Sequence, residues 1–201
     1  MKGKIFKPII LAALFFLYLN PAISQNGNGS NYDSEEDSIK CGQYLSAYRG
    51  FFNLELYDDA YETWWYTFDN CPASSVRMYV DGVTMYRHYI DEAPEGPVKQ
   101  GLIDTLMLIY DQRIEYFKDE GNVLGRQGRD LLSYRSDDMD EVERAYEMLK
   151  KSVEIQGKKS QDAVLLLFMT SGIALKNEGR IDDNQVIEDY FSVILILDQL
   201  E

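Results

Sequence analysis

Residues 41–72 read CGQYLSAYRGFFNLELYDDAYETWWYTFDNCP. Two helical stretches fit this segment, Cys41 to Leu54 and Tyr57 to Asn70. The second is stopped at Cys71-Pro72, because a proline disfavours helical geometry in the residue before it. Aromatic side chains recur along both stretches, at Tyr44, Tyr48, Phe51, Tyr57 and Trp64. On the second stretch a small residue, Ala60, sits between Tyr57 and Trp64. Two antiparallel helices come close where a small side chain occupies the crossing, and large neighbours then fill the space around it. The segment is therefore predicted to be a helical hairpin with Ala60 at its crossing.

Internal repetition is the next property to test. The tetratricopeptide pattern places a Trp, a Leu-Gly pair and a Tyr on one helix, then a spaced Ala, a Phe and a closing Pro. With Pro72 as the closing proline, Tyr44 takes the first aromatic place and Phe51 the Tyr place. Ala60 takes the small place and Trp64 the Phe place, with Tyr57 adding an aromatic at the start of the second helix. The segment from Gly42 to Pro72 thus resembles a tetratricopeptide repeat. It departs from the pattern where Ala47 replaces the Leu and Tyr48 the Gly, and where Thr67-Phe68 replaces a second small residue. A tyrosine at the glycine place is expected to widen the first crossing. The chain also resembles exported repeat proteins of the Bacteroidetes, in which a Trp-containing helix ending in Cys-Pro opens the mature domain. Here that helix would run from Trp64-Trp65 to Cys71-Pro72. The resemblance implies a periplasmic or surface-assembly role and no known chemistry.

Turn residues divide the rest into further helices, and no useful stretch has strand periodicity. A third helix is predicted from Ser74-Ser75 to about Glu92. A fourth starts at Glu95-Gly96-Pro97, and Gly121 is expected to end it with a left-handed cap. A fifth covers about Val123 to Tyr134. The sixth is capped by Asp137 or Asp138 and closed by Gly157. A seventh, Ser160 to Asn177, is apolar on nearly all sides and is expected to be the most central. Gly179 ends it, and Asp182 or Asp183 caps the eighth. Val76 to Pro94 with Val98 to Asp119 reads as a second hairpin, and Met139 to Ile155 with Gln161 to Asn177 as a later one. The fold expected over residues 39–201 is all-α, a stack of antiparallel hairpins forming a tetratricopeptide-like α-solenoid.

The first 24 residues follow the plan of a secretory signal peptide. Lys2, Lys4 and Lys7 precede an apolar run of eleven residues, Ile9 to Leu19, and Ala22-Ile23-Ser24 supplies small residues for cleavage before Gln25. The run is shorter than the ~20 residues that cross a bilayer. Residues 25–38 are rich in Asn, Gly, Ser and acid and read as a disordered leader. Loss of three lysines with the signal takes the net charge from −14 to −17. Such a charge opposes nucleic acid and anionic lipid, whose binding depends on Lys and Arg neutralising phosphates. The periplasm is the expected destination, with secretion or outer-membrane association as alternatives, and no membrane insertion is expected after cleavage. In an oxidising compartment an even cysteine count suggests a disulfide. A hairpin brings Cys41 and Cys71 to its open end, while two buried free thiols are the alternative.

Chemistry is hard to assemble from these residues. Zinc needs about four N or S ligands, and the chain has one histidine, His88, and two cysteines. No cofactor or metal is expected. Gly121, Gly125 and Gly128 recur around Arg126 and Arg129 without the spacing of a phosphate-binding loop. They read as a helix stop, a turn and a packing contact, or as an anion site where Arg126 and Arg129 meet the start of the fifth helix. Asp37-Ser38-Ile39 resembles the short O-glycosylation signal of exported Bacteroidetes proteins, which makes Ser38 a candidate site. Fifteen tyrosines are more than a core easily hides with every hydroxyl satisfied. Tyr48, Tyr79, Tyr86 and Tyr89, with Arg87 and His88, are thus the candidate partner-binding residues. The expected function is a non-catalytic scaffold that binds a protein partner in a helical-repeat groove. One alternative is a subunit of a larger envelope secretion or assembly complex; another is a hydrolase on a helical fold. The last helix, with Val186, Ile187, Tyr190, Phe191, Ile194, Leu197 and Leu200, is too apolar for the polar end of a repeat array. Either the chain continues beyond it or this face docks onto a partner.

Overall fold

The computed structural model describes residues 35–198, so the predicted signal peptide and most of the predicted leader lie outside the described residues. Among the described residues are eight α-helices and no strand: α1 Glu35–Phe52, α2 Tyr57–Asn70, α3 Val76–Glu92, α4 Pro97–Phe117, α5 Glu120–Arg135, α6 Met139–Gln156, α7 Asp162–Asn177 and α8 Asp183–Leu197. A single 3-10 turn, Gly157–Lys159, joins α6 to α7. None of these helices is long and apolar enough to cross a membrane. Helix α1 starts earlier than expected, so residues 35–38 are helical rather than part of a disordered leader.

Local chemistry sets most boundaries. Ser75 caps α3, its Oγ accepting from the Arg77 N–H at 3.2 Å. Asp138 does the same for α6 from Asp140 N–H, and Asp182 for α8 from Gln185 N–H, both at 2.9 Å. Each side-chain acceptor satisfies an N–H that the first turn leaves unpaired. Gly157 and Gly179 both have positive φ, at 52° and 72°, in the turns after α6 and α7. The end of α4 corrects the expectation. Lys118 takes the left-handed cap, φ 53°, and donates its N–H to Ile114 O. Gly121 instead lies in the first turn of α5.

Each helix packs on the next, and α5 also touches α7. The most extensive pairing is between α5 and α6. Its cause is a glycine row: a Cβ on Gly121 would meet Ile155 Cγ2 at 2.7 Å, on Gly125 Ser152 Oγ at 2.8 Å, and on Gly128 Leu149 Cγ at 2.8 Å. Two cores result. The first draws Tyr48, Ala60, Trp64, Met78, Tyr79, Met85, Leu106 and Tyr110 from α1 to α4, with Val123, Leu131 and Ala145 from α5 and α6. The second joins α6, α7 and α8 around Tyr146, Leu149, Phe168 and Val193, and Leu132 packs against both. Helix α7 is not the most central element, since Leu166 and Ile173 on it are exposed.

Candidate binding surfaces

The first hairpin forms as its residues dictate. Ala60 and Trp64 are fully buried at the meeting of α1, α2 and α3. The Trp64 indole N–H donates to Met78 O at 2.9 Å, and its ring stacks on Phe68 with centroids 5.1 Å apart. Tyr44 stacks on Tyr66 at 3.9 Å across the hairpin, and Tyr57 packs against the core. Phe51 does not fill the core place that the repeat pattern gives it; it is exposed at the end of α1. Cys41 and Cys71 are joined in a disulfide, with Cα atoms 5.8 Å apart, and Pro72 follows at the hairpin's open end.

The tyrosine groove is not present as expected. Tyr48, Tyr79 and Tyr86 are buried in the first core rather than lining a surface. The hydroxyls of Tyr48 and Tyr79 find acceptors on another helix and a turn, which removes the reason to place these two at an interface. Tyr48 Oη donates to Asp81 Oδ2 at 3.4 Å, and Tyr79 Oη donates to Pro72 O at 2.9 Å. Burial pushes the Tyr48 phenol up to about 12 and raises Tyr79 and Tyr86 as well. The same burial raises the Asp81 carboxyl, opposed by the Arg77 guanidinium at 2.6 Å. Arg87 is also committed. Its Nε and Nη2 donate to the two carboxylate oxygens of buried Asp130 at 2.9 and 2.8 Å, while Tyr110 Oη donates to Asp130 Oδ2 at 2.7 Å. Tyr89 is half-buried, its hydroxyl without a partner and its ring against Tyr61 and Tyr86. His88 lies at the surface, 3.3 Å from Glu92 and edge-on to Tyr57.

Arg126 and Arg129 do not meet at a helix start. Arg129 Nη2 donates to Asp130 Oδ1 at 3.5 Å, and Arg126 Nε donates to Asn122 Oδ1 at 3.2 Å. Gly121, Gly125 and Gly128 are packing positions within α5 rather than a turn. Ser38 is exposed on the first turns of α1, so modification there would fall on a helix.

Single apolar side chains such as Leu54 and Val98 are exposed in the first half of the chain, and several more are exposed together at its other end. On α8, Ile187, Tyr190, Phe191 and Leu195 are all more than half exposed, and Leu166 and Ile173 on α7 join them. Leu166, Phe191 and Leu195 are 64%, 58% and 62% exposed. Ile187, Phe191 and Leu195 are spaced by four and so share one helix face. Between the two helices an apolar cavity of about 290 Å³ is lined by Leu165, Leu166, Met169, Val193 and Leu197. Exposed acids on the two helices and at their ends include Asp162, at the cavity, Asp183, paired with Lys176 Nζ at 3.1 Å, Glu188 and Asp198. Helix α8 holds no Lys, Arg or His. The apolar character of α8 is legible in the sequence. The contribution of α7 is not, because an all-round apolar helix reads as buried. Among the described residues no group of three His, Cys, Asp or Glu is placed to hold a metal. No family model matches the chain, and no curated protein is similar to it.

Proposed function

We propose that this chain is a non-catalytic adaptor, a short α-solenoid of tetratricopeptide-like hairpins that holds a protein partner on the α7–α8 face. Packing of each helix on its sequence neighbour supports the solenoid reading, and the disulfide is compatible with export. The observation that carries the function is the row Ile187, Phe191 and Leu195 on α8, apolar and exposed, with Leu166 exposed on neighbouring α7. The occupant is an amphipathic helix with Lys or Arg along its margins. Asp183 is already answered by Lys176 of α7 at 3.1 Å, but exposed Glu188 and Asp198 face no base on α8, so charge complementarity at these two acids favours a basic-edged partner. A second copy would bring further acid and no base on α8 to meet Glu188 and Asp198.

Photocrosslinking from p-benzoyl-phenylalanine in place of Tyr190, in the native envelope, tests this directly. The expected product joins position 190 to a segment with apolar residues at helical spacing and flanking Lys or Arg, and Leu195→Glu abolishes it. Crosslinking to a second copy, to lipid, or to nothing would overturn the assignment.

A further inference from the structure

A cavity of about 200 Å³ lies where α3, α4 and α5 meet. Its lining includes Arg87, Arg113 and Arg126, one from each helix, together with Tyr110, Val80 and Val83, and no Asp or Glu. In a chain of net charge −14 this is a local reversal of sign. The three guanidiniums differ in how far they are satisfied. Arg87 spends its donors on Asp130 and approaches Tyr110 Oη at 3.2 Å. Arg113 is more than nine-tenths buried; its Nη2 donates to Asp119 Oδ2 at 3.1 Å, and its Nε has no hydrogen-bond partner. Arg126 has the Asn122 amide oxygen as its acceptor and no carboxylate.

We propose that this cavity is an oxyanion site, taking a carboxylate or phosphate group between Arg113 and Arg126. A buried guanidinium N–H left without an acceptor carries a desolvation cost that an incoming oxyanion relieves. The planar fork of arginine matches both groups in geometry. Arg87, already neutralised by Asp130, holds the wall rather than the ligand. Val80 and Val83 offer apolar contact to whatever bears the charged group. The site shares no residue with the α7–α8 face and does not depend on it.

The test uses the mature chain and follows the arginine Nε–Hε signals by NMR during titration at constant ionic strength. The probes are inorganic phosphate, succinate and the peptide acetyl-Glu-Glu-Val-amide. A saturable shift of the Arg113 and Arg126 signals is expected. Arg126→Gln, at an exposed position that leaves the fold intact, should weaken binding at least about tenfold, the loss of one charge-assisted hydrogen bond. Arg129→Gln, outside the cavity lining, should change nothing. Stronger binding of phosphate or succinate identifies a free small anion as the ligand; stronger binding of the peptide identifies an acidic side chain. Absence of a saturable shift with all three probes, or equal affinity in Arg126→Gln, overturns the site.

Discussion

Gly82 sits against the Trp64 indole, and the pair sets how closely α2 meets α3. A Cβ at position 82 would lie 2.3 Å from Trp64 Cζ2 and 2.8 Å from Cε2. The indole cannot withdraw, since it is fully buried and its N–H is tied to Met78 O. Helix propensity alone would reward Gly82→Ala by about 1 kcal/mol. Overpacking costs about 1–3 kcal/mol, and a rigid ring leaves little relaxation, so the clash wins. Gly82→Ala is expected to lower the urea midpoint and shift Trp fluorescence. Gly101→Ala, in α4 with nothing within 4 Å of its added Cβ, should gain about 0.5–1 kcal/mol. Equal effects of the two changes would refute the packing account. Ala60 and Trp64 could be read from their spacing, whereas Gly82 could not, because its need for space arises from a side chain eighteen positions away on another helix. The tyrosines illustrate the same limit. Tyr48 and Tyr110 look like surplus aromatics until Asp81 and Asp130, 33 and 20 residues on, supply acceptors for their hydroxyls.

Helix α1 depends on its attachments more than on its own amphipathicity. Apart from buried Cys41 and Tyr48 it is largely exposed, and its main helix neighbour is α2. The Cys41–Cys71 bond, 30 residues apart, closes the hairpin at its open end. On the chain-entropy view such a loop stabilises the fold by about 3.6 kcal/mol. Replacing both cysteines by serine is expected to remove most of that and to release α1 first. Amide exchange over residues 35–52 should accelerate well before exchange in α3 and α4, while the α6–α8 core stays protected. Uniform acceleration throughout the chain would show that α1 is no separate unit. At this scale the sequence was legible wherever a side chain of the element itself set the boundary, as Ser75, Asp138 and Asp182 do. It misled where glycine carried two meanings. Gly121 looked like a stop after α4, yet its lack of a side chain admits Ile155 of α6, and Lys118 accepted the left-handed geometry in its place. Helix α7 misled for a related reason: composition cannot distinguish an element covered on all sides from one that keeps an apolar face exposed.

The two cores meet along α5 and α6, and their coupling determines how the whole molecule responds to alkali. Burial raises the phenols of Tyr48, Tyr79, Tyr86, Tyr89, Tyr110, Tyr134 and Tyr146, with Tyr48 and Tyr134 at about 12. An unfolded tyrosine ionises near 10. The folded chain therefore holds these seven protons more tightly than the unfolded chain, so their contribution to stability is intact below about pH 10 and is lost as the pH climbs through the raised values. Absorbance at 295 nm should show these seven phenols silent at about pH 10, where an unfolded tyrosine ionises. They should then ionise together with loss of helical circular dichroism. Ionisation of these seven near pH 10 with the helices intact would contradict the burial on which the fold rests. The late step also reports on the junction. Tyr146 belongs to the second core, whereas Tyr48, Tyr79, Tyr86 and Tyr110 belong to the first. Leu132 packs on both cores, and the glycine row brings the α5 and α6 backbones too close to part independently, so a single late step is expected. Tyr146→Phe should reduce the amplitude of that step without splitting it. If the Tyr146 signal instead separated from the others, the junction would be a hinge between two stability units.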